Sequence, residues 1–109
     1  MKIAIIGSRN IAEVDLSFYV SLSDEIVSGG ARGVDTVAAA YAAEKGLKLT
    51  VFLPEYERYG RAAPIKRNYQ IVDYADKVIA FWDGVSKGTQ SVIKYAEKAG
   101  KPCEVVYVK

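Results

Sequence analysis

Short, continuous apolar runs alternate along this chain with longer stretches in which apolar residues recur every three or four positions. Residues 2–6 (KIAII) are apolar without alternation, which predicts a parallel strand buried on both faces. A helix is predicted after Asn10. Asn10 and Glu13 have capping-box spacing, and Ile11, Val14, Phe18 and Leu22 then share one face. Residues 25–28 read as a second short strand. A second helix is predicted over 34–45, its alanines allowing close packing on a sheet and Gly46 supplying the C-terminal cap. Residues 48–53 form a third strand ended by Pro54, and 54–63 a loop rich in Tyr, Arg and Gly. Residues 63–74 are helical with Pro64 in the first turn. Strand 77–82, helix 87–99 and strand 103–108 complete the chain, with Val92, Ile93 and Ala96 facing inward and Gly100 beyond the last helix. There is no internal repeat, linker or low-complexity tract.

Five strands alternating with helices predict one α/β, Rossmann-like domain spanning residues 1–109, with a mostly parallel sheet between two helical layers. Right-handed crossovers leave few topologies, and the order 3-2-1-4-5 is the expected one. Strands one and four are then neighbours whose following segments leave on opposite faces. Ligands bind at that switch point in open α/β sheets.

Three Gly/Ser/Thr loops fall at the predicted C-terminal sheet edge. They are Gly7-Ser8-Arg9-Asn10, Ser28-Gly29-Gly30-Ala31-Arg32-Gly33 and Asp83-Gly84-Val85-Ser86-Lys87-Gly88-Thr89. A glycine-rich turn that opens a helix offers bare backbone N–H groups and the positive end of a helix dipole, which is anion chemistry. The candidate ligand-binding residues are therefore Gly7, Ser8, Arg9, Gly29, Gly30, Ala31, Arg32, Gly33, Gly84, Ser86, Gly88 and Thr89. Each also has a plain structural reading: tight turns for the glycines, solvated charge for Arg9 and Arg32, helix caps for Ser86 and Thr89. Asp35 and Asp83 are the carboxylates predicted near the crevice, hence the weak candidates for any catalysis. Tyr56 and Tyr59 could stack on a base. Trp82 reads as core or pocket wall and Cys103 as a buried strand residue.

Composition narrows the chemistry. The chain has 109 residues, half of them hydrophobic, and a formal net charge of +2. That charge gives nucleic-acid binding little support. With one cysteine and no histidine, an internal disulfide, a zinc site built on His or several Cys, and any His-dependent triad are excluded. A lone cysteine and an N-terminal apolar run too short for a signal peptide predict a cytoplasmic protein with no membrane span. No metal or obligatory cofactor is expected.

The blocks GSRN, SGGARGVD, PEYERYGRAAPIKRN and AFWDGVSKGT, with a later AGKP, resemble in order the SLOG superfamily, above all its small YspA-like, YpsA-related branch. The resemblance implies a Rossmann-like fold that binds or senses a nucleotide or nucleotide-derived ligand, of the NAD or ADP-ribose class. It adds Arg67 and Asn68 as ligand-binding candidates, since on a helix alone they read as surface residues. It also implies pairing of two copies through helices. LOG-type phosphoribohydrolases of the superfamily carry PGGxGTxxE. Here the Gly-Thr pair is Gly88-Thr89 and the glutamate position is Val92. A valine cannot act as acid, base or stabiliser of oxocarbenium charge, so phosphoribohydrolase activity is not expected. Two alternatives follow from the resemblance: a hydrolase or transferase acting on a nucleotide N-glycosidic or phosphate bond, and single-stranded nucleic-acid binding of DprA type.

Overall fold

A computed structural model describes residues 1–30 and 32–108. The strands are β1 (Lys2–Gly7), β2 (Glu25–Ser28), β3 (Leu49–Val51), β4 (Lys77–Trp82) and β5 (Cys103–Tyr107). The helices are α1 (Val34–Lys45), α2 (Tyr56–Tyr59), α3 (Ala63–Tyr74) and α4 (Lys87–Lys98). All pairings are parallel and the sheet order is β3-β2-β1-β4-β5, as the alternation predicts. The two central strands, β1 and β4, bury four consecutive residues each, which is why both read as unbroken apolar runs.

Strand pleating divides the core in two. One face carries Ile3, Ile5, Ile26, Ile79 and Phe81 against Val34, Ala38 and Ala42 of α1. The other carries Ala4, Ile6, Val27, Val78 and Ala80 against Ile71 and Val72 of α3 and Val92, Ile93 and Ala96 of α4. α1 ends where predicted: Gly46 takes a left-handed conformation and its N–H bonds the Ala42 carbonyl.

Residues 8–24 depart from expectation. The predicted helix after Asn10 does not form, and neither does its Asn10/Glu13 box. The only helical element there is a 3-10 turn, Leu16–Phe18. Ile11, Leu16 and Val20 are buried, while Phe18 and Leu22 are 88 % and 72 % exposed. The cause lies in the side chains between them. Asp15 accepts from the Ser17 N–H at 3.0 Å and Asp24 from the Ser21 N–H at 2.8 Å. Such local side-chain bonds offer the backbone an alternative to the helix ladder. Smaller shifts occur at the ends of other elements. β3 spans only Leu49–Val51, with one further bond from the Phe52 N–H to the Ser28 carbonyl at 2.9 Å, and Leu53 is exposed ahead of Pro54. The 54–63 loop contains α2 and a 3-10 turn, Gly60–Ala62. α4 and β5 each end one residue earlier than predicted.

The β1–α1 contact depends on glycine. Gly33 sits at φ 75°, ψ −126°, and a methyl group there would stand 2.6 Å from the Arg9 carbonyl oxygen and 2.7 Å from that of Ser8. Gly33→Ala should therefore lower stability by about 1–3 kcal/mol or more. Urea denaturation should show a lower midpoint with an unchanged slope.

Candidate functional site

The loops after β1, β2 and β4 meet at the C-terminal sheet edge, over the β1–β4 junction. Gly7 makes that junction possible. A methyl group on it would lie 2.5 Å from Val34 Cγ2 and 2.6 Å from the Phe81 carbonyl oxygen. Ser8 ties the loops together: its N–H donates to the Phe81 carbonyl at 3.1 Å, and its Oγ accepts from the Asp83 N–H at 3.3 Å.

These loops and two helices enclose a cleft of about 290 Å³. Ten of the residues singled out from the sequence line it: Gly7, Ser8, Arg9, Gly29, Asp35, Arg67, Asn68, Ser86, Gly88 and Thr89. Gly30, Arg32, Gly33, Gly84 and Asp83 do not. Gly30 faces away, toward Leu53 and Val51 on the β3 side. Arg32 and Gly33 border a shallower groove along α1. Ala31 lies outside the described residues. Tyr56, Tyr59 and Trp82 do not line the cleft, and the Trp82 indole N–H donates to the Ser86 carbonyl at 3.0 Å. Cys103 is half-buried rather than buried, with burial raising its thiol pKa.

The rest of the lining is apolar: Ile6, Pro64, Ile71 and Val92. In the sequence these residues read as core or as a helix start. The spacing of Pro64, Arg67, Asn68 and Ile71 on α3 is i, i+3, i+4, i+7, which places them on one helix face and is the signal that joins them.

Arg67 is the unusual member. It is only 8 % exposed. Its Nε donates to Asn68 Oδ1 at 2.8 Å and its Nη1 to the Gly29 carbonyl at 2.5 Å. No carboxylate lies within 4 Å of it among the described residues. Burial pulls its pKa below the usual arginine value, and the charge of nearby Asp35 pushes the other way. The guanidinium stays charged regardless. A surface salt bridge, the plain reading of Arg67, is thereby replaced by a buried cation held by neutral acceptors.

The first turn of α4 supplies the second electropositive group. Its early N–H groups have no partner within the helix. Ser86 occupies the N-cap position but makes no side-chain cap bond. Its Oγ instead donates to Asp83 Oδ2 at 2.9 Å. Asp83 Oδ1 accepts from the N–H groups of Val85 at 2.9 Å and Ser86 at 2.8 Å. Asp83 thus ties down the loop that leads into α4, and it faces that loop rather than the cleft. The bonds from Val85 and then Ser86 hold its carboxyl at a pKa of about 2.

A carboxyl held below its ordinary value of 3.8 contributes stability above that pH and loses it as the pH falls toward 2. Asp83→Asn should therefore melt lower than the parent at neutral pH. The gap should close between pH 3.8 and about 2, read from paired thermal melts. Gly88→Ala should act in the opposite direction. A Cβ there meets nothing within 4 Å, so the apo protein should gain about 0.4–1 kcal/mol in denaturant melts.

Comparison with known proteins agrees with this architecture. The sequence model of the YspA, cpYpsA-related SLOG family (YAcAr) matches residues 1–59. The Gene 61 protein of Mycobacterium phage D29 is 33 % identical over 116 aligned positions, covering 93 % of this chain and 92 % of that protein. A Rossmann-like sheet carrying glycine loops at its C-terminal edge, together with these two matches, makes the chain a member of the YspA, cpYpsA-related SLOG family.

Proposed function

We propose that the cleft binds or senses a nucleotide-derived ligand through its phosphate. Membership of the SLOG family indicates nucleotide-related binding or processing. The observation that carries the finer reading is Arg67, a buried cation lining the same cleft as the uncapped first turn of α4. A phosphate between them would receive charge-assisted bonds from the guanidinium and backbone N–H groups from Gly88 and Thr89. Ile6, Ile71 and Val92 form an apolar wall for the sugar or base. The cleft volume of about 290 Å³ is at the lower end of ligand pockets, which run from roughly 300 Å³ upward. It suits one nucleotide half, so a ligand of the NAD or ADP-ribose class would place its second half over the rim.

The enzymatic alternative rests on Asp35. It lines the cleft and is nearly buried, whereas Val92 stands where LOG-type enzymes carry their glutamate. Release of adenine from AMP, abolished in Asp35→Asn, would replace a binding module by an enzyme.

A thermal-shift panel of AMP, ADP-ribose, NAD and other nucleotides tests the binding reading, since a ligand that binds only the folded state raises the melting temperature. For the best ligand, Arg67→Ala should weaken binding by about 1.5–3 kcal/mol in calorimetry. Arg67→Lys, which keeps the charge but loses the planar fork, should fall between it and the parent. A panel without a single hit, or a folded Arg67→Ala variant that binds like the parent, would defeat the proposal.

A further inference from the structure

The two edges of the sheet are finished differently. β3, at one edge, is only three residues long, and a short edge strand is one way a fold discourages a further strand from pairing. β5, at the other, keeps an unbroken parallel register with β4 from Cys103 to Tyr107 and has no proline inside it. Glu104 is its one charged residue, and Lys77 stands 3.5 Å from that carboxylate. Among the described residues, β4 is the only strand that β5 pairs with.

The bonds to β4 decide which backbone groups are left over. The Val78 N–H donates to the Pro102 carbonyl and the Val108 N–H to the Trp82 carbonyl, each at 2.9 Å. A strand bonds each neighbour through alternate residues, so Glu104 and Val106 turn their N–H and C=O groups toward β4. Those of Cys103, Val105 and Tyr107 point out of the sheet edge. Apolar surface flanks this row. Tyr107 is 70 % exposed, and a groove of about 340 Å³, lined by Val14, Phe18, Tyr19, Val106 and Val108 among others, lies against the strand on the α1 face.

We infer that β5 pairs antiparallel with β5 of a second copy, joining two five-stranded sheets into one across a two-fold axis. Centred on Val105, this register sets Val105 opposite its own counterpart and Cys103 opposite Tyr107, so every outward N–H meets an outward carbonyl. The backbone would accept any strand, but the side chains favour this one. Cys103, Val105 and Tyr107 meet one another on one face, and on the other Glu104 falls opposite Val106, so no like charges face each other. An axis normal to the sheet keeps equivalent faces together, which places both apolar grooves on the same side of the seam. Pairing through α3 and α4 would instead turn Lys87, Lys94 and Lys98 toward their own counterparts. Those lysines have no carboxylate within 4 Å among the described residues to offset the repulsion. The inference rests on the sheet edge and is independent of the cleft ligand.

Sedimentation equilibrium of the full chain tests it, and should show a species of twice the chain mass by about 100 μM. Val105→Pro removes one outward N–H and no bond to β4, and proline is tolerated at such an edge position. The variant should keep its circular dichroism and melt cooperatively, yet sediment as a monomer. The register has its own test in a Cys103→Ser background. Val105→Cys should cross-link two chains on mild oxidation, because the two α-carbons of a hydrogen-bonded antiparallel pair stand about 5.5 Å apart, within disulfide reach. Tyr107→Cys in the same background should not, since position 107 lies opposite position 103. A parent that stays monomeric at about 100 μM would overturn the inference, as would a dimer that survives Val105→Pro. Cross-linking no stronger at position 105 than at position 107 would overturn it too, and this readout does not depend on the proline variant folding.

Discussion

The end of β1 is wedged against its neighbours, and the C-terminal edge of the sheet is arranged around that contact. Gly7 brings its backbone against Val34 at the start of α1 and against the Phe81 carbonyl on β4, where no side chain would fit. Ser8 then bonds to both Phe81 and Asp83, and Asp83 in turn holds the loop that opens α4. Three loops distant in sequence are thus fixed to one another by backbone contact. Strand order alone would place them near each other. The absence of a β-carbon at Gly7 and Gly33 makes them touch.

Around this rigid junction the chain departs from the local rules it follows elsewhere. α1 closes on a left-handed glycine with a lysine in its last turn, as a stable helix should. α4 begins with a serine that does not cap and a lysine at the positive end of the dipole. α3 buries an arginine that has no carboxylate within 4 Å among the described residues. Each of these is unfavourable for the isolated protein, since a buried cation loses hydration and an uncapped helix leaves donors unsatisfied. All three lie along the α3–α4 side of the sheet edge. Such departures gather where a protein has work other than folding to do.

Much of this was legible in the sequence because the signals were local and redundant. Strands β1 and β4 announced themselves by unbroken apolar runs, and α1 by its alanines and Gly46. The position of the cleft followed from strand order and three glycine loops. What was hidden depended on direction rather than identity. Gly29 and Gly30 are adjacent and chemically alike, yet one lines the cleft and the other meets Val51 and Leu53. Asp83 read as a free carboxylate because nothing in the sequence shows that two amides and a hydroxyl converge on it. The helix expected after Asn10 does not form, because serines and aspartates interrupt the apolar spacing there. There, side chain-to-backbone bonds won.

That irregular segment gives the molecule an uneven mechanical character. Beyond Ser8, which is bonded to β4, residues 9–24 are anchored chiefly by the side chains of Ile11, Leu16 and Val20, and their backbone bonds are short-range turns. A stretch of this kind opens at a lower free energy than the sheet it covers, so its amides exchange with solvent ahead of those in β1 and β4. Ser8 and Arg9 stand at its first residues and also form part of the cleft wall. A ligand seated there would brace the least cooperative part of the fold, and occupancy would register as slowed amide exchange along residues 8–24 as well as in the cleft itself.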